Sequence, residues 1–123
     1  MLQVHHFQEI ESQETEYGEG VTVRWVIGED HGAPHFAMRI FDVQPGQATG
    51  FHSHWWEHEV FVLAGTGSVK TKDKQQPIRE GTVVFVPGGM DHQFINEGDD
   101  LLRFICCVPL PWLEGLAEKH GGM

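Results

Sequence analysis

The side chains best suited to chemistry in this chain are its histidines. The 123 residues include nine of them, more than the eight lysines and arginines together, and four form a spaced group. His52 and His54 stand two apart in a strand-like segment, so both imidazoles project to the same side. After Trp55, Trp56 and Glu57 comes His58, which opens the apolar run Val60 to Leu63, and far along the chain His92 follows Pro87-Gly88-Gly89-Met90-Asp91. A pair on one strand joined by histidines from neighbouring strands is a way for a barrel to hold one divalent ion, and imidazole suits Zn, Cu, Fe and Ni. Four neutral imidazoles leave the double charge of such an ion uncompensated. It is then a strong Lewis acid, and in six-coordinate geometry two positions stay open for oxygen donors.

Short strands must position these residues, and the sequence supplies them. Period-2 alternation and β-branched content predict strands at Val21 to Ile27, Phe36 to Val43, Phe51 to His54, His58 to Leu63, Gly67 to Thr71, Thr82 to Val86, His92 to Ile95 and Leu101 to Val108. Turn residues separate them at Gly28 to Pro34, Pro45-Gly46, Gly65 to Gly67, Pro87 to Gly89 and Asn96 to Asp100. Helical periodicity is nearly absent, and this spacing of strands predicts an all-β sandwich or barrel. Residues 1–20 are polar and acidic and read as an arm or an edge strand, with the barrel domain over 21–123. Near the C-terminus Pro111 to Leu116 predicts a short helical turn that lays Trp112, Leu113 and Leu116 on the barrel.

Composition narrows the function classes. A chain of this length buries roughly two-thirds of its unfolded surface, enough for one core. With 18 acidic against eight basic residues and a formal charge of -10, it is poorly suited to a phosphate backbone, so no nucleic-acid partner is expected. No apolar run approaches the roughly 18 residues that span a bilayer, and the first ten residues lack a signal-peptide pattern. A cytoplasmic protein with no membrane partner is the expectation. The two cysteines, Cys106 and Cys107, are adjacent and supply no disulfide framework. His5, His6, His31, His35 and His120 read as structural or surface residues.

The histidine group falls within a recognisable pattern. Gly46-x5-His52-x-His54-x3-His58-x6-Gly65 is followed by Gly81-x5-Pro87-x-Gly89-x2-His92-x3-Asn96. This resembles the two motifs of the cupin superfamily, with His58 standing where most metal-binding cupins carry Glu. The pattern also permits a longer spacing to Glu59, which is therefore an alternative metal ligand. Neighbours on a strand face opposite ways, so one of the two points at the metal, and the six-residue gap to Gly65 favours His58. The set His52, His54, His58 and His92 is similar to that of small single-domain cupins with four histidines, some of which hold manganese.

That resemblance implies a single jelly-roll β-barrel carrying one divalent metal per chain, Mn first and Fe second, with Ni, Cu or Zn as further candidates. It also implies a homodimer. Strand parity nominates pocket walls beside the metal: Phe94 shares the face of His92, and Phe104, Cys106 and Val108 share the face opposite Arg103 and Cys107. On Phe36 to Val43, Arg39 shares a face with Ala37 and Phe41, and the resemblance suggests that this face is inward. Arg39 is then a cation in an apolar pocket, suited to a carboxylate or peroxide. The opposite parity, with Met38 and Ile40 inward, leaves it on the surface. Cys106 reads either as a thiol near the metal or as a small core residue.

Three functions follow as expectations for a small-molecule substrate. The first is an oxidoreductase, dioxygenase-like or peroxide-using, although the Glu that serves as base in several cupin dioxygenases is missing. The second is a metal-dependent isomerase or decarboxylase without redox change, and the third is a binding or sensor module without turnover.

Overall fold

Alternation of apolar and polar residues builds the central strands. In the computed structural model, which describes residues 1–15 and 18–110, nine strands form: β1 (Gln13–Glu14), β2 (Val21–Ile27), β3 (Phe36–Val43), β4 (His58–Ala64), β5 (Thr66–Lys70), β6 (Gln75–Arg79), β7 (Val83–Val86), β8 (Gln93–Asn96) and β9 (Leu102–Pro109). Two short 3-10 turns, Phe7–Glu9 and Glu29–His31, are the helical elements among the described residues. Six strands pair in the order β1-β2-β3-β9-β4-β7, and three in the order β6-β5-β8, with every named pair antiparallel. The architecture is a single β-barrel of two facing sheets.

The barrel interior follows from side-chain parity. On β9, Leu102, Phe104, Cys106 and Val108 are buried while the residues between them are half-exposed. Its partners supply the matching face: Ala37, Arg39 and Phe41 of β3 oppose Val108, Cys106 and Phe104, while Val60 and Val62 of β4 oppose Cys106 and Phe104. Phe94 of β8 stacks on Phe104 with ring centroids 4.7 Å apart, joining the two sheets across the core. Each large apolar side chain buried in this way stabilises the fold by about 1.5–3 kcal/mol.

Two features depart from the strand pattern read from the sequence. Residues 51–54 form no regular strand: a single antiparallel bridge joins His52 to His92, and a second joins Ala48 to Ile95. In addition, β6 arises from the polar stretch Gln75-Gln76-Pro77-Ile78-Arg79, which carries one buried apolar residue, Ile78. It is an edge strand of the three-stranded sheet, where Pro77 can be accommodated despite lacking a backbone N–H. The helical turn expected from Pro111 onward lies outside the described residues.

Two glycines shape connections of the barrel. Gly65 links β4 to β5 at φ 89°, a left-handed conformation that side chains resist, and its backbone lies close to Leu101 and Leu102. Gly89, at φ 81°, donates its N–H to the carbonyl of His54 at 2.6 Å, tying the Pro87 turn to the histidine segment.

Candidate metal centre

His58 begins β4 facing inward, and β4 pairs with β9 so that Cys106 lies beside it. His92 precedes β8, while His52 and His54 lie on the connection that crosses above it. His52 and His92 exchange backbone hydrogen bonds in both directions, at 3.2 Å and 3.0 Å, which brings two segments 40 residues apart together. The four rings then converge: His54 lies 4.5 Å from His52, 4.6 Å from His58 and 5.5 Å from His92, centroid to centroid.

The ligand nitrogens of His52, His54 and His92 all lie within 4.8 Å of one another. His52 Nδ1 is 2.6 Å from the Gly50 carbonyl and His92 Nδ1 is 2.9 Å from the Met90 carbonyl. A carbonyl only accepts, so these rings carry their protons on Nδ1 and their lone pairs on Nε2, the orientation metal-binding imidazoles require. His58 is held differently. Its Nε2 lies 3.0 Å from His54 Nδ1 and its Nδ1 lies 3.0 Å from Cys106 Sγ, which also accepts from Arg39 Nη2 at 3.3 Å. A line of contacts therefore runs from Arg39 through Cys106 and His58 to His54. Glu59 is exposed on the opposite face of β4, across from Cys107 and Phe85, and lines a groove outside the barrel with Trp55 and Glu57.

Burial and mutual repulsion keep the inner histidines neutral. Desolvation first, then the neighbouring histidines and Arg39, lower His54 from 6.5 to about 3 and His58 to about 2. Desolvation also lowers His92. Burial raises the Cys106 thiol, so it stays protonated at neutral pH despite the Arg39 cation. Neutral imidazoles with lone pairs turned into one cavity are the donor set that a borderline divalent cation takes, so the residues fit such an ion.

The cavity is about 40 Å³. Its walls include the residues nominated by parity, Arg39, Phe41, Phe94, Phe104 and Cys106. Two further residues line the wall, of which Thr49 carried no sequence signal. Thr49 is buried and accepts the Phe94 N–H at 2.9 Å, while Trp56 stacks on His54 at 4.4 Å. Trp25, also unsignalled, faces Arg39 from behind, with its ring 5.2 Å from the guanidinium carbon.

This arrangement of strands and histidines coincides with a family match: the Cupin domain model matches residues 39–108. The chain belongs to the cupin family. Its relatives include the oxalate-binding protein of Thermotoga maritima, 33% identical over 82 residues that cover 63% of this cupin and 68% of that protein. The polyketide cyclase RemF of Streptomyces resistomycificus superposes with a TM-score of 0.83 at 27% identity, over 89% of this cupin and 80% of that chain. A second structure, described as a predicted oxalate decarboxylase from Thermotoga maritima, gives a TM-score of 0.75 at 26% identity, over 88% of this cupin and 99% of that chain. Among the described residues, no helix of this cupin is long and apolar enough to cross a membrane.

Proposed function

We propose that this cupin is a metal-dependent enzyme acting on a small substrate with oxygen donors, with His52, His54, His58 and His92 holding one divalent ion, manganese before iron. The convergence of four imidazoles on one cavity carries this reading. His58 would complete the set on giving up its contact with His54, and its contact with Cys106 Sγ fixes the ring orientation. When bound, the ion supplies a Lewis acid for a carbonyl or enolate oxygen. Phe41, Phe94 and Phe104 exclude water from that oxygen, while Trp56 holds the His54 ring in place.

Chemistry without net oxidation fits the walls best, as an isomerase, a decarboxylase or a cyclisation catalyst. Among the described lining residues there is no carboxylate, which suits decarboxylation best, since no proton then has to be taken from carbon. The names of the two superposed relatives, a cyclase and a predicted decarboxylase, describe reactions other than oxidation. The oxidoreductase reading, dioxygenase-like or peroxide-using, is second, and the aromatic walls of the cavity favour it. A cytoplasmic homodimer belongs to the same proposal: Phe61, Val83 and Phe85 are exposed on the outer face of β4 and β7 and invite a second copy.

The test is elemental analysis of untagged protein, followed by oxygen uptake and product analysis on a panel of 1,3-diketones and 2-oxo acids with Mn, Fe and Zn forms. About one Mn or Fe per chain, lost in His58→Ala and kept in Glu59→Ala, supports the four-histidine site. Turnover that survives Zn without oxygen uptake supports Lewis-acid chemistry, and turnover confined to Mn or Fe with oxygen consumed supports oxidation. Ligands retained unchanged with every metal would make the protein a binding module.

A further inference from the structure

Arg39 lies in the wall of the cavity, and a metal-holding role for the histidines leaves it without a task. It is 5% exposed. The rings of Trp25 and Phe41 face its guanidinium carbon at 5.2 Å and 4.9 Å, holding the plane in place. Its Nη2 donates to Cys106 Sγ, a weak acceptor, and its Nε is buried with no hydrogen-bond partner among the described residues. Among the described residues no carboxylate pairs with it. A buried charge of this kind is costly unless something compensates it. The rest of the cavity adds no counterion, because its other polar groups are imidazoles, a thiol, a threonine hydroxyl and the Trp56 indole N–H, none of them anionic.

We propose that Arg39 is the anion-recognition element of the cavity, and that the ligand is a small carboxylic acid whose carboxylate sits on the guanidinium while a second oxygen donor reaches the histidine cluster. The second half rests on the metal reading above. The size of the site favours a small acid: about 40 Å³ has room for about three waters. The lining residues that reach solvent are His52 and Trp56, which marks the mouth through which any longer ligand extends. A single planar cation among aromatic rings matches the flat, two-oxygen edge of a carboxylate. Among the described residues the wall supplies no lysine and no second arginine to meet the further oxygens of a phosphate. The line of contacts through Cys106 and His58 places the guanidinium two side chains from His54, so one short molecule can engage both ends.

Isothermal titration of Mn-loaded and EDTA-treated protein tests this, with malonate, acetylacetone and inorganic phosphate as probes. Acetylacetone offers the same 1,3-spaced oxygens as malonate and no carboxylate. In the Mn form, Arg39→Gln is expected to weaken malonate about 10- to 100-fold, to change acetylacetone less than about twofold and to leave metal content unaltered. Arg39→Lys, which keeps the charge and loses the fork, should fall between, and it serves if the Gln variant does not fold. Equal malonate affinity in wild type and Arg39→Gln overturns the proposal, as does phosphate binding tighter than malonate or an equal loss of both 1,3-dioxygen probes. If elemental analysis and Mn titration show no metal binding, the metal reading fails on its own account. The Arg39 assignment is then decided in the EDTA-treated protein, where malonate should raise the melting temperature of wild type and not of Arg39→Gln, and the absence of that difference overturns it.

Discussion

Arg103 and Arg39 sit on the paired strands β9 and β3, and the barrel provides for them in different ways. Arg103 faces outward opposite Asp42 and makes two hydrogen bonds to it, from Nε at 2.7 Å and Nη2 at 2.9 Å, while Arg24 approaches the same carboxylate at 3.4 Å. That bond to Asp42 raises the Arg103 pKa. Three residues along β3, Arg39 faces inward opposite Cys106 and meets a thiol and two aromatic rings. Arg103 thus has its counterion within the fold, whereas Arg39 lies beside histidines held neutral, with no counterion among the described residues. The outer pair serves the framework, and the inner cation is left for something that arrives from outside.

The strongest way to break this contrast is to strip the site of its donors. His92→Ala is expected to reduce bound Mn from about one per chain to less than about one-tenth, whereas Asp42→Ala leaves it unchanged, as read by elemental analysis after dialysis. Equal loss in both variants would erase the distinction between site and framework.

Acid sharpens it next. His54 and His58 titrate at about 3 and about 2 in the fold against 6.5 in the unfolded chain, so the unfolded chain binds more protons as pH falls below 6.5. Stability of the metal-free protein is therefore full above about pH 6.5 and is lost as pH falls towards the folded values, by about 1.4 kcal/mol per pH unit for each histidine. Urea denaturation at pH 7, 6 and 5 should show this slope in wild type and lose most of it in His54→Gln/His58→Gln.

Smaller effects separate the two arginines. Asp42→Ala leaves Arg103 and Arg24 without their shared carboxylate and should cost about 2 kcal/mol in urea denaturation at pH 7. Arg39→Met removes an uncompensated buried cation, so it is expected to change stability by less than about 1 kcal/mol and in the favourable direction. A large destabilisation by Arg39→Met would make Arg39 a framework residue like Arg103.

Much of the barrel was legible because its long strands are half-buried. Val21–Ile27 and Phe36–Val43 occur with the limits that alternation predicts, and β9 is displaced by one residue at each end. The histidine spacing also marked which segments meet. Strand β6 escaped because a mostly polar edge strand containing Pro77 has no alternating pattern to read. Residues 51–54 misled in the other direction, since period-2 spacing of His52 and His54 here reflects a crossing held by one bridge. Trp25 and Thr49 reach the site through pairing and loop geometry, which local sequence does not encode. Arg39 had two readings, and the β3–β9 register that sets it opposite the buried Cys106 is a long-range property.

The bridge between His52 and His92 also has a consequence in time. His52, His54 and His58 are close in sequence and can gather in an unfolded chain, but His92 arrives only when two distant segments close on each other. Such closure is slow to form, because loop entropy is lost before the contacts are gained. An ion bound on both sides of that seam would act as a clasp, contributing little while the chain is folding and resisting the opening of the barrel once it has formed. Metal should therefore slow unfolding far more than it speeds folding, and the lifetime of the folded barrel should follow the rate at which the ion leaves.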